Sequence, residues 1–471
     1  MIPLLLLFGA FALGFVNPKR ATLAAALISA FWFEWELPMG GRYGLFEMLF
    51  LGGIFGLLAG NGGGQAPGRT PCGKLVMAYI AISFISYVFF SFRLKVELFR
   101  MLWGASKWVV FGASYFLFYR TIDDEAFLRK VIGCFLISAT VSAAIGVAQH
   151  FLHSSLSFLF TGTYVGDLEA RWGTFQGNYR AASSLEHAVN FGTFMILPFL
   201  LLGCMMWTDP ERWHRKGSWL MLGAVSLGLL LSFTRAAWVG AFVAGIGAFV
   251  LLKLYRERRF WKWMALAVAL MTVIIAAGKV PPKYFERLKT LEDARHDDAM
   301  TPRYERWAYF YERSLERPWL GWGIVADAKA METLEAAVSP HNSFIFLAVQ
   351  RGWIATGIMT ALLLLLWKEG WAAIKAAPDE PRKGLAVGLF AGAVGMFGIG
   401  GNFTTLWEDR QCSVVFWLLL AITFRLRHTF SELSESHEHL EAESDPASPA
   451  PVLTGQAAPV ADESAQGAAM T

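Results

Sequence analysis

Apolar residues in this chain come in long blocks separated by short polar knots. About thirteen blocks can be drawn, near 2–16, 21–37, 44–60, 75–92, 98–119, 131–152, 187–207, 218–234, 236–252, 262–279, 343–367, 385–405 and 411–427. The block at 75–92 runs for eighteen residues without a charge. Runs of that length read as membrane-crossing helices, because in lipid a helix satisfies its own backbone N–H and C=O groups. Several blocks are shorter than the ~20 residues of a full span, and the first two are the weakest. The pattern predicts an all-α, polytopic membrane protein of about 12–13 transmembrane helices, with a first hairpin that need not fully cross. Residues 2–16 lack the basic n-region and cleavage site of a signal peptide, and Lys19 and Arg20 follow the apolar run. They read as a retained helix.

The polar connections fall into two sets. Segments 17–20, 61–74, 120–130, 208–217, 253–262, 368–384 and 425–428 hold 21 Lys and Arg. The opposite short connections, 38–43, 93–97, 153–186, Arg235 and 406–410, hold 7. Basic residues accumulate on the cytoplasmic side, so the first set is expected there. Two long connections then face away from the cytoplasm: 153–186, and 281–340 with nine Lys/Arg and eleven Asp/Glu. The second reads as a small helical cap, with helices expected near 304–315 and 325–337. Residues 1–427 are expected to form the membrane domain. Residues 428–471, with eight acids and no Lys or Arg, are expected to be a disordered cytoplasmic tail. The run SELSESHEHLEAES has some helical character.

Composition agrees with the pattern. Hydrophobic residues make up 55% and charged residues 17%, against about 25% charged in soluble domains. A net charge of +4 gives no reason to expect nucleic acid. The cysteines, Cys72, Cys134, Cys204 and Cys412, are far apart, with no CxxC or Cys/His cluster, so neither a metal centre nor a disulfide framework is suggested. Glu34, Glu36 and Glu47 read better as interfacial residues beside Trp32 and Trp35 than as an ion path with Lys107.

Four polar features could carry chemistry. Arg235 interrupts LLSFTRAAWVGAFVA, either inside a long bent span or at a tight turn between two spans. An arginine in apolar surroundings usually lines a cavity or meets a partner. His341 and Asn342 stand directly before an apolar run. Asn342 can cap the helix that follows, but a cap does not explain His341, which titrates near neutrality and can act as a general base. In TPRYERWAYFYERSLERPWLGWG, Arg303 and Trp307 share one helix face. In EARWGTFQGNYRAASSLEH, Arg171 and Arg180 lie among glycines. Each alone fits an ordinary structural role. Together they bring several cations and one possible base to one membrane face, with no accompanying metal motif. Such a set suits a phosphate-bearing anion held by arginine forks.

The order and spacing of these stretches resemble the O-antigen ligase superfamily of bacterial membrane glycosyltransferases. That group includes O-antigen ligases, Wzy-type polymerases and protein O-oligosaccharyltransferases. The resemblance rests on Ser-x-x-Arg (Ser232–Arg235), Arg-x-x-x-Trp followed by Glu-Arg-Pro-Trp-Leu-Gly-Trp-Gly (Arg303, Trp307, 316–323), His-Asn followed after nine residues by Gly352, and RWGTF at 171–175. Ala355 departs from the pattern, where the group often has Gly, Thr or Tyr.

The resemblance implies transfer of a glycan from a polyprenyl pyrophosphate carrier, undecaprenyl pyrophosphate in the bacterial inner membrane, to an acceptor hydroxyl on the periplasmic face. It implies a metal-independent, GT-C-like enzyme with no cofactor. It assigns His341 as general base, Arg235 and Arg303 as stabilisers of the leaving pyrophosphate, Arg171 and Arg180 as further pyrophosphate ligands, and Asn342, Trp307 and Gly352 as positioning residues. Lipid A–core is the favoured acceptor, which would make the protein an O-antigen ligase. A growing glycan or a protein hydroxyl are the alternatives, and a membrane transporter or flippase is the reading from a different class.

Overall fold

The computed structural model describes residues 2–31, 33–36, 42–61, 70–93, 98–154, 156, 179–185, 187–276, 301–323, 340–407 and 409–444. Each apolar block becomes a helix. In chain order these are α1 (Ile2–Val16), α2 (Pro18–Ile28), α3 (Leu45–Leu58), α4 (Gly73–Arg93), α5 (Leu98–Thr121), α6 (Glu125–Leu152), α7 (Ala188–Thr208), α8 (Lys216–Leu231), α9 (Arg235–Leu251) and α10 (Arg258–Ala276). Then come α11 (Thr301–Glu316) from the large polar loop, α12 (Ser343–Ala376), α13 (Glu380–Ala393) and α14 (Arg410–Ser444). A short hairpin, β1 (Glu34–Glu36) with β2 (Arg42–Gly44), is antiparallel with Trp35 opposite Tyr43.

Among the described residues, six helices are long and apolar enough to cross a membrane: α4, α6, α7, α12, α13 with its continuation to Asn402, and α14. Helices α1, α3, α8 and α9 are apolar but shorter. The polytopic, helical architecture is as the sequence predicts, although fewer helices reach full span length than the 12–13 expected. The expected helix at 325–337 lies outside the described residues. Helix α14 runs unbroken to Ser444, so the chain stays helical for seventeen residues past Arg427, where the tail was expected to begin.

The polar knots between blocks act as helix starts. Asn17 accepts from the Arg20 N–H at 3.0 Å with Pro18 at the first helical position. Asp124 accepts from Phe127 and Asp379 from Arg382, at 2.6 and 2.8 Å. Each side-chain oxygen satisfies a donor that the first helical turn leaves without a partner. The same knots bind one another. Lys19 pairs with Asp123 at 2.6 Å, Arg382 with Glu125 at 2.9 Å, Arg427 with Glu369, and Arg425 donates to the Tyr119 carbonyl at 2.8 Å. These contacts draw 17–20, 120–130, 368–384 and 425–428 to one end of the bundle. Those are four of the seven segments grouped together by their basic residues.

Helices α7, α13 and α14 are the most enclosed. Residues 179–185 are not an outer loop but lie inside the bundle, with Ala181, Ala182, Ser183 and Leu185 fully buried. Gln149 makes this possible. Its Oε1 accepts from the Ala182 and Ser183 N–H groups at 3.2 and 2.6 Å, and its Nε2 donates to the Ser183 carbonyl at 3.0 Å. Non-helical backbone is tolerated at such depth only when protein supplies its hydrogen bonds. Glu47 is likewise buried rather than interfacial, 3.4 Å from Arg410. The Lys107 side chain lies outside the described residues.

Candidate functional site

The first turn of α12 sets the geometry at the end of the bundle away from those ion pairs. Asn342 caps it, its Oδ1 accepting from the Phe344 and Ile345 N–H groups at 3.0 and 3.1 Å. Its Nδ2 donates to the Asn402 carbonyl at 3.4 Å. Ser343 Oγ donates to the Thr404 carbonyl at 2.7 Å and accepts from the Leu406 N–H at 2.9 Å. The Thr404 hydroxyl bonds Asn190 of α7, whose amide donates to Asp409 at 3.1 Å. Asp409 in turn accepts from the Cys412 N–H at 2.9 Å and so caps α14. Asn342, Ser343, Thr404, Asn190 and Asp409 are all buried, and Asn402 is half-buried. A connected, buried polar network of this kind holds its members in one arrangement.

His341 precedes this pinned turn with φ +50°. A left-handed conformation is uncommon for a non-glycine residue and gathers at functional sites. On its other side, Trp307 of α11 donates its indole N–H to the Pro340 carbonyl at 2.7 Å. The imidazole is pushed down to about 4, first by burial and then by the electrostatic influence of Arg303, His187 and Arg306. It is therefore neutral at neutral pH, as a proton acceptor must be.

Arg235 opens α9 immediately after a tight turn, Ser232–Thr234, in which Phe233 has φ +50°. This resolves the two sequence readings in favour of a turn between α8 and α9. The half-buried Arg180 holds that turn: its Nε donates to the Ser232 carbonyl at 2.9 Å and its Nη2 to Thr234 Oγ1 at 3.1 Å. Thr234 then donates to the carbonyl of Ala188 at 3.1 Å, the residue after His187. The turn carrying Arg235 is thus tied to the same α7 N-terminus whose His187 acts on His341. Arg180 is joined to this assembly through the Ser232 carbonyl and the Thr234 hydroxyl. Arg171 lies outside the described residues.

Gly352 lies well along α12 from His341 and touches the site through packing. It breaks the helix with φ +81° and ψ +170°. The 316–323 motif fills the break. Trp322 donates its N–H to the Val349 carbonyl at 2.6 Å, and Trp353 to the Pro318 carbonyl at 2.7 Å. A Cβ on Gly352 would collide with the Trp319 carbonyl, and one on Gly321 (φ +66°) with Val349 and Gln350. Both glycines are required by close backbone approach as well as by φ. The break fixes where the segment after α11 docks on α12, and with it α11, which carries Arg303 and Trp307.

The sequence alone did not single out His187, Asn190, Thr404 and Asp409. Asn190, a polar residue inside an apolar block, was a visible signal, as was Asp409 just before the last block.

Two comparisons bear on this arrangement. Residues 218–360 match the family model described as O-antigen ligase, Wzy_C. That interval takes in Arg235, Arg303, Trp307, His341, Asn342 and Gly352. The chain is also similar to the general O-oligosaccharyltransferase of Acinetobacter baylyi (strain ATCC 33305 / BD413 / ADP1), 24% identical over 209 residues, covering 40% of this chain and 35% of the relative. The chain thus spans about a third of the length of that curated relative.

Proposed function

We propose that this chain, a multi-pass member of the O-antigen ligase superfamily of glycan-transferring enzymes, moves a glycan from a polyprenyl pyrophosphate to an acceptor hydroxyl. The observation that carries the reading is a neutral His341 on a rigid turn beside Arg303 and Arg306, inside the matched segment. The acceptor oxygen attacks the anomeric carbon as its proton passes to the imidazole. The C–O bond to the pyrophosphate breaks, and its electron pair leaves with the pyrophosphate. Arginines already in place stabilise that growing charge without reorganising. Arg235 and Arg303 serve this role, with Arg180 holding the Arg235 turn and Arg171 as a further pyrophosphate ligand. Asn342, Trp307 and Gly352 position the base and α11.

The distribution of basic residues supports a site facing away from the cytoplasm, which we take to be the periplasmic face of a bacterial inner membrane. Lipid A–core is the proposed acceptor, so the reaction is O-antigen ligation without a metal or cofactor. The similarity to a general O-oligosaccharyltransferase favours one second reading, transfer to a protein hydroxyl.

Purified protein given an undecaprenyl-pyrophosphate glycan, lipid A–core and an acceptor protein, in the presence of EDTA, distinguishes these. Glycosylated lipid A–core is the expected product. Glycosylated protein would move the assignment to an oligosaccharyltransferase, and lengthened donor glycan to a polymerase. Donor crossing vesicles with no acceptor modified would replace the enzyme with a transporter.

A further inference from the structure

The end of α7 away from His187 carries a second polar site. Helix α7 is 21 residues long, or roughly 30 Å at 1.5 Å per residue, so the two sites are a bundle length apart. Between α6, the C-terminal end of α7, the start of α8 and α13 lies a cavity of about 270 Å³. Its polar lining is Arg129, Arg212, Trp213, Arg215 and Ser218. Every one of these side chains can donate a hydrogen bond, and no carboxylate lines the space.

The donors are under-used. Trp213 Nε1 is buried without a hydrogen-bond partner. Among the described residues, the guanidinium groups of Arg212 and Arg215 make no salt bridge, and Arg129 is paired only with Glu125, at 2.6 Å. A buried donor left unmade is costly, and Arg212 and Arg215, exposed at the mouth of the cavity, present guanidinium forks of the kind that take phosphate oxygens.

The remaining walls, Ile132, Met205 and Leu385, are apolar. Around this end lie exposed aromatics, Trp219, Trp261 and Trp263, with Trp219 and Trp263 in ring contact at 6.4 Å. Such aromatics mark headgroup depth. A free ion needs no apolar wall and no membrane-facing belt, whereas a lipid uses both. Basic pockets between membrane helices take anionic headgroups on this principle. We propose that the cavity binds the phosphate headgroup of an anionic phospholipid, Arg129, Arg212 and Arg215 gripping its oxygens and Trp213 and Ser218 donating to them. This site is separate from the transfer chemistry and stands whether or not that assignment holds.

Native mass spectrometry of the purified full chain tests it with short-chain phosphatidylglycerol, short-chain phosphatidylcholine and inorganic phosphate. Phosphatidylglycerol is expected to be retained about tenfold better than phosphatidylcholine. The Arg212→Ala/Arg215→Ala variant should lose that preference. Arg256→Ala/Arg258→Ala, which removes the same charge outside the cavity, should keep it. Trp213→Phe, which changes no charge, should weaken it and serves where the double variant does not fold. Equal retention of the two lipids overturns the proposal. So does equal loss in both double variants, which would indicate diffuse surface charge, or binding of inorganic phosphate alone.

Discussion

An imidazole held near 4 is uncharged across the neutral range, and this makes the pH dependence of His341 specific. Transfer should be flat from neutrality to about pH 5 and fall as pH drops through about 4, where an ordinary histidine would already fail near 6.5. The sign for stability follows from the same shift. Between 6.5 and 4 the unfolded chain binds a proton at this residue and the folded chain does not. Its stabilising contribution is therefore full above 6.5 and is lost as pH falls toward 4. A rate–pH profile beside a melting series checks both. His341 and Asn342 were legible as polar residues standing directly before an apolar run, and Arg303 from its spacing to Trp307. The depth of the shift was not, since it comes from burial and from Arg306 and His187, which only the fold brings near.

At the level of elements, the α12 start and the α12 break do different work. Asn342→Ala removes acceptors for two N–H groups and should cost about 1 kcal/mol, read as a lower melting temperature with a smaller loss of activity than at His341. Gly352→Ala meets both a positive φ and the Trp319 carbonyl, and should destabilise by at least ~1 kcal/mol while displacing α11. Thermal unfolding and transfer assays on the two variants separate capping from positioning. Helix positions were readable from block spacing because membrane spans are set by apolar length. The inward course of 179–185 was not readable: Ala181, Ala182, Ser183 and Ser184 look like an ordinary polar connection until Gln149, some thirty residues earlier, is placed beside them. The 316–323 motif was visible as a spacing, but its purpose, filling the α12 break through backbone hydrogen bonds, exists only in three dimensions.

For the whole molecule, sidedness is the property on which both proposed sites depend. Charge counting grouped the basic connections, and the pairs Lys19–Asp123 and Arg382–Glu125 tie members of that group together at one end. Cysteines introduced at His214 and at Tyr304, in a background lacking the four native cysteines, should react with an impermeant maleimide from opposite faces of an oriented vesicle. Labelling of both from one face would contradict the arrangement. The acceptor, by contrast, was not legible in the sequence, because no residue in the motifs distinguishes a lipid-borne hydroxyl from a protein one.

The central claim is that His341 accepts the acceptor's proton. Its most direct measurement is the single-turnover rate of glycan transfer by purified wild type, His341→Ala and Glu305→Ala, the last a change at a nearby exposed position. A loss of about 10²–10⁴ in His341→Ala, with Glu305→Ala close to wild type, is the predicted result. Equal rates in the two variants would contradict it.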